Sequence, residues 1–129
     1  EDAAAYEAVM AAYGIPKDRG DERQAAIQTA MLKAAAVPMR TLEAARDVAR
    51  LCVRVAAAGN VNARSDGGVG GMLAGAAARG AYYNVLINVR SLPDPAAGND
   101  LAERARVLAA EADAFAGEAA RLVEAALNG

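Results

Sequence analysis

The sequence predicts an all-α fold, a helical bundle that ends in one long C-terminal helix. Hydrophobic residues make up 55% of the 129 residues and aromatic residues only 4%, and alanine, the strongest helix former, supplies much of the hydrophobic fraction. Apolar residues recur at spacings of three and four in almost every segment, which is the periodicity of an amphipathic helix. Because large side chains are few, we expect closely spaced helices and a dimer that forms through helix surfaces.

Residues typical of helix starts and stops indicate the first two helices. Residues 2–13 predict a helix, with Gly14 as a left-handed cap and a proline two residues later as a stop. Asp21, with Gln24 three residues on, resembles a capping box at the start of the second helix. We expect Pro38 to break or kink that helix, because proline disfavours helical geometry in the residue before it.

The middle of the chain predicts two further helical stretches. A helix resumes after the proline, and Gly59 is expected to close it. Ser65 or Asp66 is expected to cap the next helix, since either side chain can accept a hydrogen bond from a free backbone N–H group. We expect Gly80 to end that helix.

The last third of the chain holds one ambiguous segment and the clearest helix. Residues 82–89, YYNVLINV, have the β-branched and aromatic content of a strand. Since no second strand candidate exists and a lone strand has no partner, we predict a helix there. A loop over residues 91–99 then leads into a helix over about residues 100–127, which would span on the order of 40 Å.

The length of 129 residues indicates a single domain, residues 1–129. The composition narrows the class of protein. The 14 basic residues against 16 acidic ones form no clustered basic face, so we expect no nucleic-acid partner. No apolar run approaches the roughly 18 residues of a membrane span, and the lone Cys52 fits a reducing compartment, so we expect a cytoplasmic protein without a membrane partner. The absence of histidine removes imidazole catalysis and most catalytic zinc sites, so we predict no metal site.

A polar segment, residues 59–70, stands out from its alanine-rich surroundings with the sequence GNVNARSDGGVG. Glycine inside a helix costs roughly 0.5–1 kcal/mol relative to alanine, so a run of this kind indicates close packing or binding. We favour close helix packing for the glycines. Asp66 is the candidate general acid or base within the segment, because a positioned carboxylate can accept and return a proton.

Several segments, matching in order, resemble the cyclodeaminase/cyclohydrolase family. This family includes the cyclodeaminase domain of formiminotransferase-cyclodeaminase and the stand-alone bacterial methenyltetrahydrofolate cyclohydrolases. The family normally has a PxGGGS-like turn before its first helix, and we expect that Gly-rich segment to be missing from this chain. The matching segments are DAAAYEAVM (2–10), IPK (15–17), AIQTAMLKAAAVP (26–38), GNVNARSDGGVG (59–70) and GAYYNVLINV (80–89).

The resemblance implies an all-helical homodimer that acts on a folate-bound one-carbon unit, with no cofactor beyond the tetrahydrofolate substrate. A cyclodeaminase expels ammonia from formiminotetrahydrofolate as the ring closes to methenyltetrahydrofolate. A cyclohydrolase adds water to methenyltetrahydrofolate and opens it to formyltetrahydrofolate. The sequence does not choose between them, because the two reactions differ in a leaving group. The alternative is a non-catalytic helical dimerisation module, a truncated or degenerate family member.

The resemblance also implies roles for five residues. Asp66 is the predicted acid/base, with a helix cap as the alternative role. Asn60 and Asn62 are predicted to hydrogen-bond the pterin amides, or else to satisfy the loop around them. Arg64 is predicted to contact the folate and Lys17 to pair with its glutamate tail, with ordinary surface charges as the alternative.

Two asparagines one turn apart, Asn84 and Asn88, interrupt an otherwise apolar stretch. Buried amides need hydrogen-bond partners. We therefore expect these two side chains to bond between helices at the dimer.

Overall fold

The structure, a computed structural model, describes all 129 residues and contains only helices. The all-α prediction is confirmed, and the ambiguous residues 82–89 are helical. None of the helices has the length and apolarity that crossing a bilayer requires. The elements are α1 (Asp2–Tyr13), α2 (Gly20–Ala58), α3 (Val61–Arg90), a short 3-10 helix (Pro95–Gly98) and α4 (Asn99–Asn128).

Helices α2, α3 and α4 form an antiparallel three-helix bundle. Only Gly59 and Asn60 separate α2 from α3, so the two helices form a hairpin. Positions on α3 meet positions on α4 in reverse order: Gly68 faces Val123 and Gly75 faces Ala116. The core is built mainly from alanine, and its largest fully buried side chains are Leu42 and Val85.

The shorter α1 lies antiparallel to the first half of α2. At one end of α1, Glu1 forms an ion pair with Arg40 at 2.7 Å. At the other end, the Tyr13 hydroxyl donates to the Met31 sulfur at 3.9 Å. Helix α1 therefore packs along the first half of α2, whereas α4 packs on both α2 and α3.

Glycines set the spacing between the helices, as the sequence predicted for this run. A Cβ atom at Gly67 would lie 2.9 Å from the Ala56 backbone nitrogen and 3.1 Å from the Cys52 carbonyl oxygen. A Cβ atom at Gly71 would lie 3.1 Å from the Ala119 side chain. The α2 backbone can approach α3 this closely because Gly67 has no side chain.

The predicted helix end at Gly80 is wrong, and of the break or kink predicted at Pro38 the break is wrong. Helix α2 runs unbroken through Pro38, and α3 runs unbroken through Gly80. An internal proline removes one backbone hydrogen bond and costs about 3 kcal/mol. The long packed faces of α2 and α3 outweigh that local cost, since most helical stability in proteins comes from tertiary packing.

Three predicted caps also differ from the observed ones. Gly14 has right-handed backbone angles, φ −71° and ψ −15°, and its N–H group bonds back to the carbonyls that end α1. Helix α2 begins at Gly20 without a side-chain cap, so Asp21 lies inside its first turn. Neither Ser65 nor Asp66 caps α3, because Asn60 does so five residues earlier. The prediction that Gly59 closes α2 is confirmed.

Candidate functional site

The polar segment is a helix start rather than a loop. The Asn60 side-chain oxygen accepts a hydrogen bond from the Ala63 N–H group at 3.0 Å, which is the bond of an N-terminal cap. Helix α3 therefore begins at Val61, and Asp66 lies in its second turn. The prediction that this helix begins only at Ser65 or Asp66 is wrong because Asn60 supplies the cap earlier.

At this helix start, two side chains form hydrogen bonds to the backbone that stabilise it, and two form no bond within the chain. The half-buried Arg64 donates from Nε to the Gly59 carbonyl at 2.8 Å and so ties α3 to the end of α2. Asn62 and Asp66 are exposed, and neither side chain has a hydrogen-bond or ion-pair partner in the chain. The structure thus brings Asn60, Asn62, Arg64 and Asp66 together at one end of the hairpin.

Lys17 lies at the opposite end of the molecule. It is exposed in the turn between α1 and α2. The 39 residues of α2, about 58 Å at 1.5 Å per residue, separate it from the helix start at Asn60. A single chain therefore does not bring Lys17 to Asp66.

Replacement of Asn60 with alanine is expected to destabilise the fold by about 0.5–2 kcal/mol, because an unbonded N–H group is left at the start of α3. Asn60→Asp should stay close to the parent, since aspartate caps a helix about as well as asparagine. Urea unfolding of the two variants measures the difference. Equal stability of both variants and the parent would show that the cap bond contributes nothing.

A groove of about 550 Å³ opens between α1, the middle of α2 and the second half of α3. This volume lies within the range of small-molecule pockets, roughly 300–1,000 Å³. Its walls are mostly apolar, with a few polar groups from each helix. The polar and aromatic side chains on it are Asp2, Tyr6, Thr41, Asn84 and Asn88.

The amides of the groove leave their oxygens free. Asn84 donates to the Gly80 carbonyl at 3.2 Å, and Asn88 donates to the Asn84 carbonyl at 3.1 Å. Within the chain, both amides thus bond their own helix rather than a neighbouring one. Because each amide uses only its nitrogen, each side-chain oxygen remains an acceptor at the groove.

Pro38 removes one backbone hydrogen bond from α2 at the wall of the groove. Proline has no N–H group to donate to the Ala34 carbonyl four residues earlier. Both Ala34 and Pro38 line the groove. Tyr6, which is 65% exposed, adds an aromatic face above this wall. The arrangement suits a flat ring with hydrogen-bonding groups along its edge.

The sequence did not indicate that Asp2, Tyr6 and Thr41 line a groove. The available signals were the tyrosine within an alanine-rich first helix and the proline inside α2. Neither signal locates a groove unless the packing of α1 on α2 and α3 is known. Asp66 is 18 residues from Asn84 along α3, about 27 Å, so one chain has two separate candidate regions.

Comparison with known protein families identifies the family to which the chain belongs. The family model described as formiminotransferase-cyclodeaminase matches residues 1–107. The chain belongs to the formiminotransferase-cyclodeaminase family. The resemblance that the sequence segments predicted is thus confirmed over most of the chain.

Individual members of this family show the same relationship. The chain is 39% identical over 118 residues to a methenyltetrahydrofolate cyclohydrolase from Methylorubrum extorquens. The aligned residues cover 89% of the chain and 57% of that relative. It is 35% identical over 114 residues to the formimidoyltransferase-cyclodeaminase of Sus scrofa. That alignment covers 86% of the chain and 21% of the relative.

A solved structure has the same fold as the chain. The crystal structure of formiminotetrahydrofolate cyclodeaminase from Thermotoga maritima superimposes with a TM-score of 0.84 and 26% sequence identity. The match covers 98% of this chain and 60% of the Thermotoga chain. The chain thus spans between a fifth and three fifths of the length of these relatives.

Proposed function

We propose that the protein interconverts folate-bound one-carbon units, as a methenyltetrahydrofolate cyclohydrolase or a formiminotetrahydrofolate cyclodeaminase. The groove carries this proposal. Its apolar walls, its aromatic Tyr6 and its free amide oxygens match the flat, hydrogen-bonding pterin ring that substrates of this family carry. The activities named for the bacterial relatives support the same substrate class.

In the proposed mechanism, the groove holds and orients the pterin while Asp66 moves the proton. In the hydrolytic direction, the Asp66 carboxylate takes a proton from the water that adds to the amidine carbon, and it returns a proton to the ring nitrogen as the carbon–nitrogen bond breaks and the ring opens. In the deaminating direction, the ring nitrogen adds to the formimino carbon, and protonated Asp66 gives its proton to the formimino nitrogen, which leaves as ammonia. Asn62 lies one helical turn before Asp66, Arg64 lies two residues before it, and both are proposed to contact the folate. Asn60 and Lys17 keep their proposed substrate contacts, to the pterin and to the glutamate tail.

The proposed enzyme is a cytoplasmic homodimer that needs no metal or redox cofactor. Since about 27 Å separates Asp66 from Asn84 in one chain, the two can act on the same one-carbon unit only when they come from different copies. The proton transfers above require only a carboxylate. Chelator treatment is therefore expected to leave turnover unchanged.

The test of this function incubates the protein separately with methenyltetrahydrofolate and with formiminotetrahydrofolate while the absorbance of the methenyl form is followed. A cyclohydrolase makes the absorbance fall in the first mixture, and a cyclodeaminase makes it rise in the second. No change in either mixture contradicts the enzymatic proposal and favours the non-catalytic dimerisation module. That alternative is supported by the exposed apolar surface of α3.

Tyr6→Ala is expected to raise KM for the folate substrate roughly tenfold, because stacking of a ring on an aromatic side chain is worth about 1–3 kcal/mol. Tyr6→Phe keeps the ring and should stay within a fewfold of the parent. Steady-state kinetics measure both variants. Tyr13→Ala is the matched control, since this tyrosine lies on the same helix outside the groove. An unchanged KM in Tyr6→Ala would contradict the assignment of the groove.

A further inference from the structure

The groove between α1, α2 and α3 is rich in hydrogen-bond acceptors and contains no cation. None of its lining residues is a lysine or an arginine, and its one charged side chain is the carboxylate of Asp2. The Thr41 hydroxyl donates to the Val37 carbonyl at 3.5 Å, so its lone pairs remain as acceptors. A ligand in this groove is therefore recognised mainly through its own N–H groups.

Five of the lining residues lie on one face of α3, each three or four residues from a neighbour on that face. The first three of them carry at most a methyl group, and the last two are amides. The wall is thus a flat floor of about one turn, followed by two amides about 6 Å apart along the helix axis. In chain order, the five residues are Ala77, Gly80, Ala81, Asn84 and Asn88.

Gly80, in the middle of this floor, has no packing reason to be a glycine within the chain. Glycine in a helix interior costs about 1 kcal/mol relative to alanine. A Cβ atom at Gly80 would meet nothing within 4 Å, whereas one at Gly67 would clash with the α2 backbone. The missing side chain at Gly80 leaves open the part of the groove that lies one turn before Asn84.

The Asn84 amide is held in one orientation by its own helix. Its nitrogen donates to the Gly80 carbonyl at 3.2 Å. Turning the amide over would break this bond and place its oxygen against the carbonyl oxygen, so that two acceptors would face each other without a donor. The Asn88 amide is held in the same way by the Asn84 carbonyl at 3.1 Å. Neither amide can therefore exchange its free oxygen for its nitrogen without losing a hydrogen bond.

We propose that Asn84 is the specificity-determining residue of the groove, and that it selects a flat ring whose edge carries an amino group over a ring of the same shape with an oxo group there. The pyrimidine ring of a pterin has such an edge, with an amino group beside a ring N–H group. The ring lies over Gly80, and its amino group donates to the Asn84 oxygen.

This orientation turns the second ring of the pterin, which carries the one-carbon unit, away from α3. The one-carbon unit then lies on the open side of the groove, where the acid/base must reach it. This step rests on the proposed folate chemistry. The preference for an amino edge does not, because it follows from the acceptors of the groove alone.

Binding of pterin and of lumazine tests the selection without any turnover. The two bicyclic rings have the same shape, but lumazine carries an oxo group where pterin carries its amino group. Ligand-detected NMR measures both dissociation constants. We expect pterin to bind at least about tenfold more tightly, because the oxo group of lumazine would face the Asn84 oxygen and leave both acceptors unpaired. Equal binding of the two rings, or no binding of pterin, would overturn the proposal.

Asn84→Leu assigns the preference to its residue. Leucine keeps the size of the side chain and removes the amide, so the preference for pterin should fall to within about threefold. Asn128→Leu is the matched control, since Asn128 is an exposed helical asparagine at the end of α4, outside the groove. It should keep the preference of the parent. An unchanged preference in Asn84→Leu would show that Asn84 does not select the ring.

Gly80→Leu tests the floor of the groove. We expect it to weaken pterin binding at least about tenfold without lowering the melting temperature, because leucine fills the floor and is a better helix former than glycine. Gly117→Leu also adds a side chain to an open helical position, and it should leave pterin binding within twofold of the parent. Parent-like pterin binding by Gly80→Leu would overturn the placement of the ring.

The binding experiment and the folate assay fail independently. Selective binding of pterin without turnover of either folate substrate would contradict the proposed enzyme and leave the role of Asn84 intact. Turnover together with equal binding of pterin and lumazine would support the enzyme and overturn the role of Asn84.

Discussion

Asp66→Asn is expected to lower turnover of the folate substrate by at least about 100-fold, because a positioned acid or base contributes roughly 100- to 10,000-fold to rate. The melting temperature should stay within a few degrees of the parent. Asp66 is exposed, lies in the second turn of α3 and has no partner within the chain, so asparagine removes a proton acceptor and little else. Turnover and thermal unfolding of the same preparation check both expectations.

The control for this variant is Asp100→Asn. Asp100 is also an exposed helical carboxylate without an ion pair, but it lies on α4, away from both candidate regions. It should keep turnover within twofold of the parent. If Asp66→Asn retains activity within a fewfold, Asp66 is not the acid/base. If its activity and melting temperature collapse together, its role is structural.

Mixing two impaired variants, one with lowered turnover and one with raised KM, separates a shared site from a site within one chain when the substrate concentration lies well below KM. A mixed dimer of Asp66→Asn and Tyr6→Ala copies contains one site with an intact groove and an intact carboxylate, provided that these come from different copies. Random pairing should then restore roughly a quarter of the parent rate. A site built within one chain would leave the rate of the mixture at the average of its two components.

Gly67→Ala is expected to destabilise the fold by about 1–3 kcal/mol, the usual cost of forcing extra volume into a packed contact. The added Cβ atom would lie 2.9 Å from the Ala56 nitrogen and 3.1 Å from the Cys52 carbonyl oxygen. Both atoms belong to the α2 backbone, so a side-chain rotation cannot relieve the clash. Helices α2 and α3 would have to separate. Urea unfolding measures the loss.

Gly117→Ala serves as the matched control, since Gly117 also lies within a helix but has nothing within 4 Å of its Cβ position. Alanine there should stabilise the fold by up to about 1 kcal/mol through helix propensity alone. The two substitutions are chemically identical and are expected to act in opposite directions. Stabilisation by both would mean that α3 does not need Gly67 to approach α2.

The sequence was sufficient for the fold class but not for the number of long helices, because the predicted ends at Pro38 and Gly80 divide α2 and α3. Alanine content and apolar spacings of three and four are local properties, and they predicted helices wherever the structure has long ones. The helical state of residues 82–89 also followed, because a lone strand would have had no partner. The glycine run from Gly67 was correctly assigned to close helix packing for the same local reason.

Helix boundaries required the tertiary structure. The propensities of Pro38 and Gly80 predict breaks, but both residues lie in faces that are packed along their whole length. Packing energy summed over a long face exceeds the local cost of one proline or glycine. The observed cap of α3 is Asn60 rather than the predicted Ser65 or Asp66, because α2 ends at Ala58 and only two residues separate it from α3.

The sequence by itself determined the family and the candidate polar residues, because ordered segments and residue types can be read along the chain. Only the tertiary structure decided which of these residues lie together. It placed Lys17 at one end of α2 and Asp66 at the other, and it formed a groove from residues on three helices. Such proximity depends on where antiparallel helices of about 45–58 Å cross one another, and no local pattern encodes that crossing.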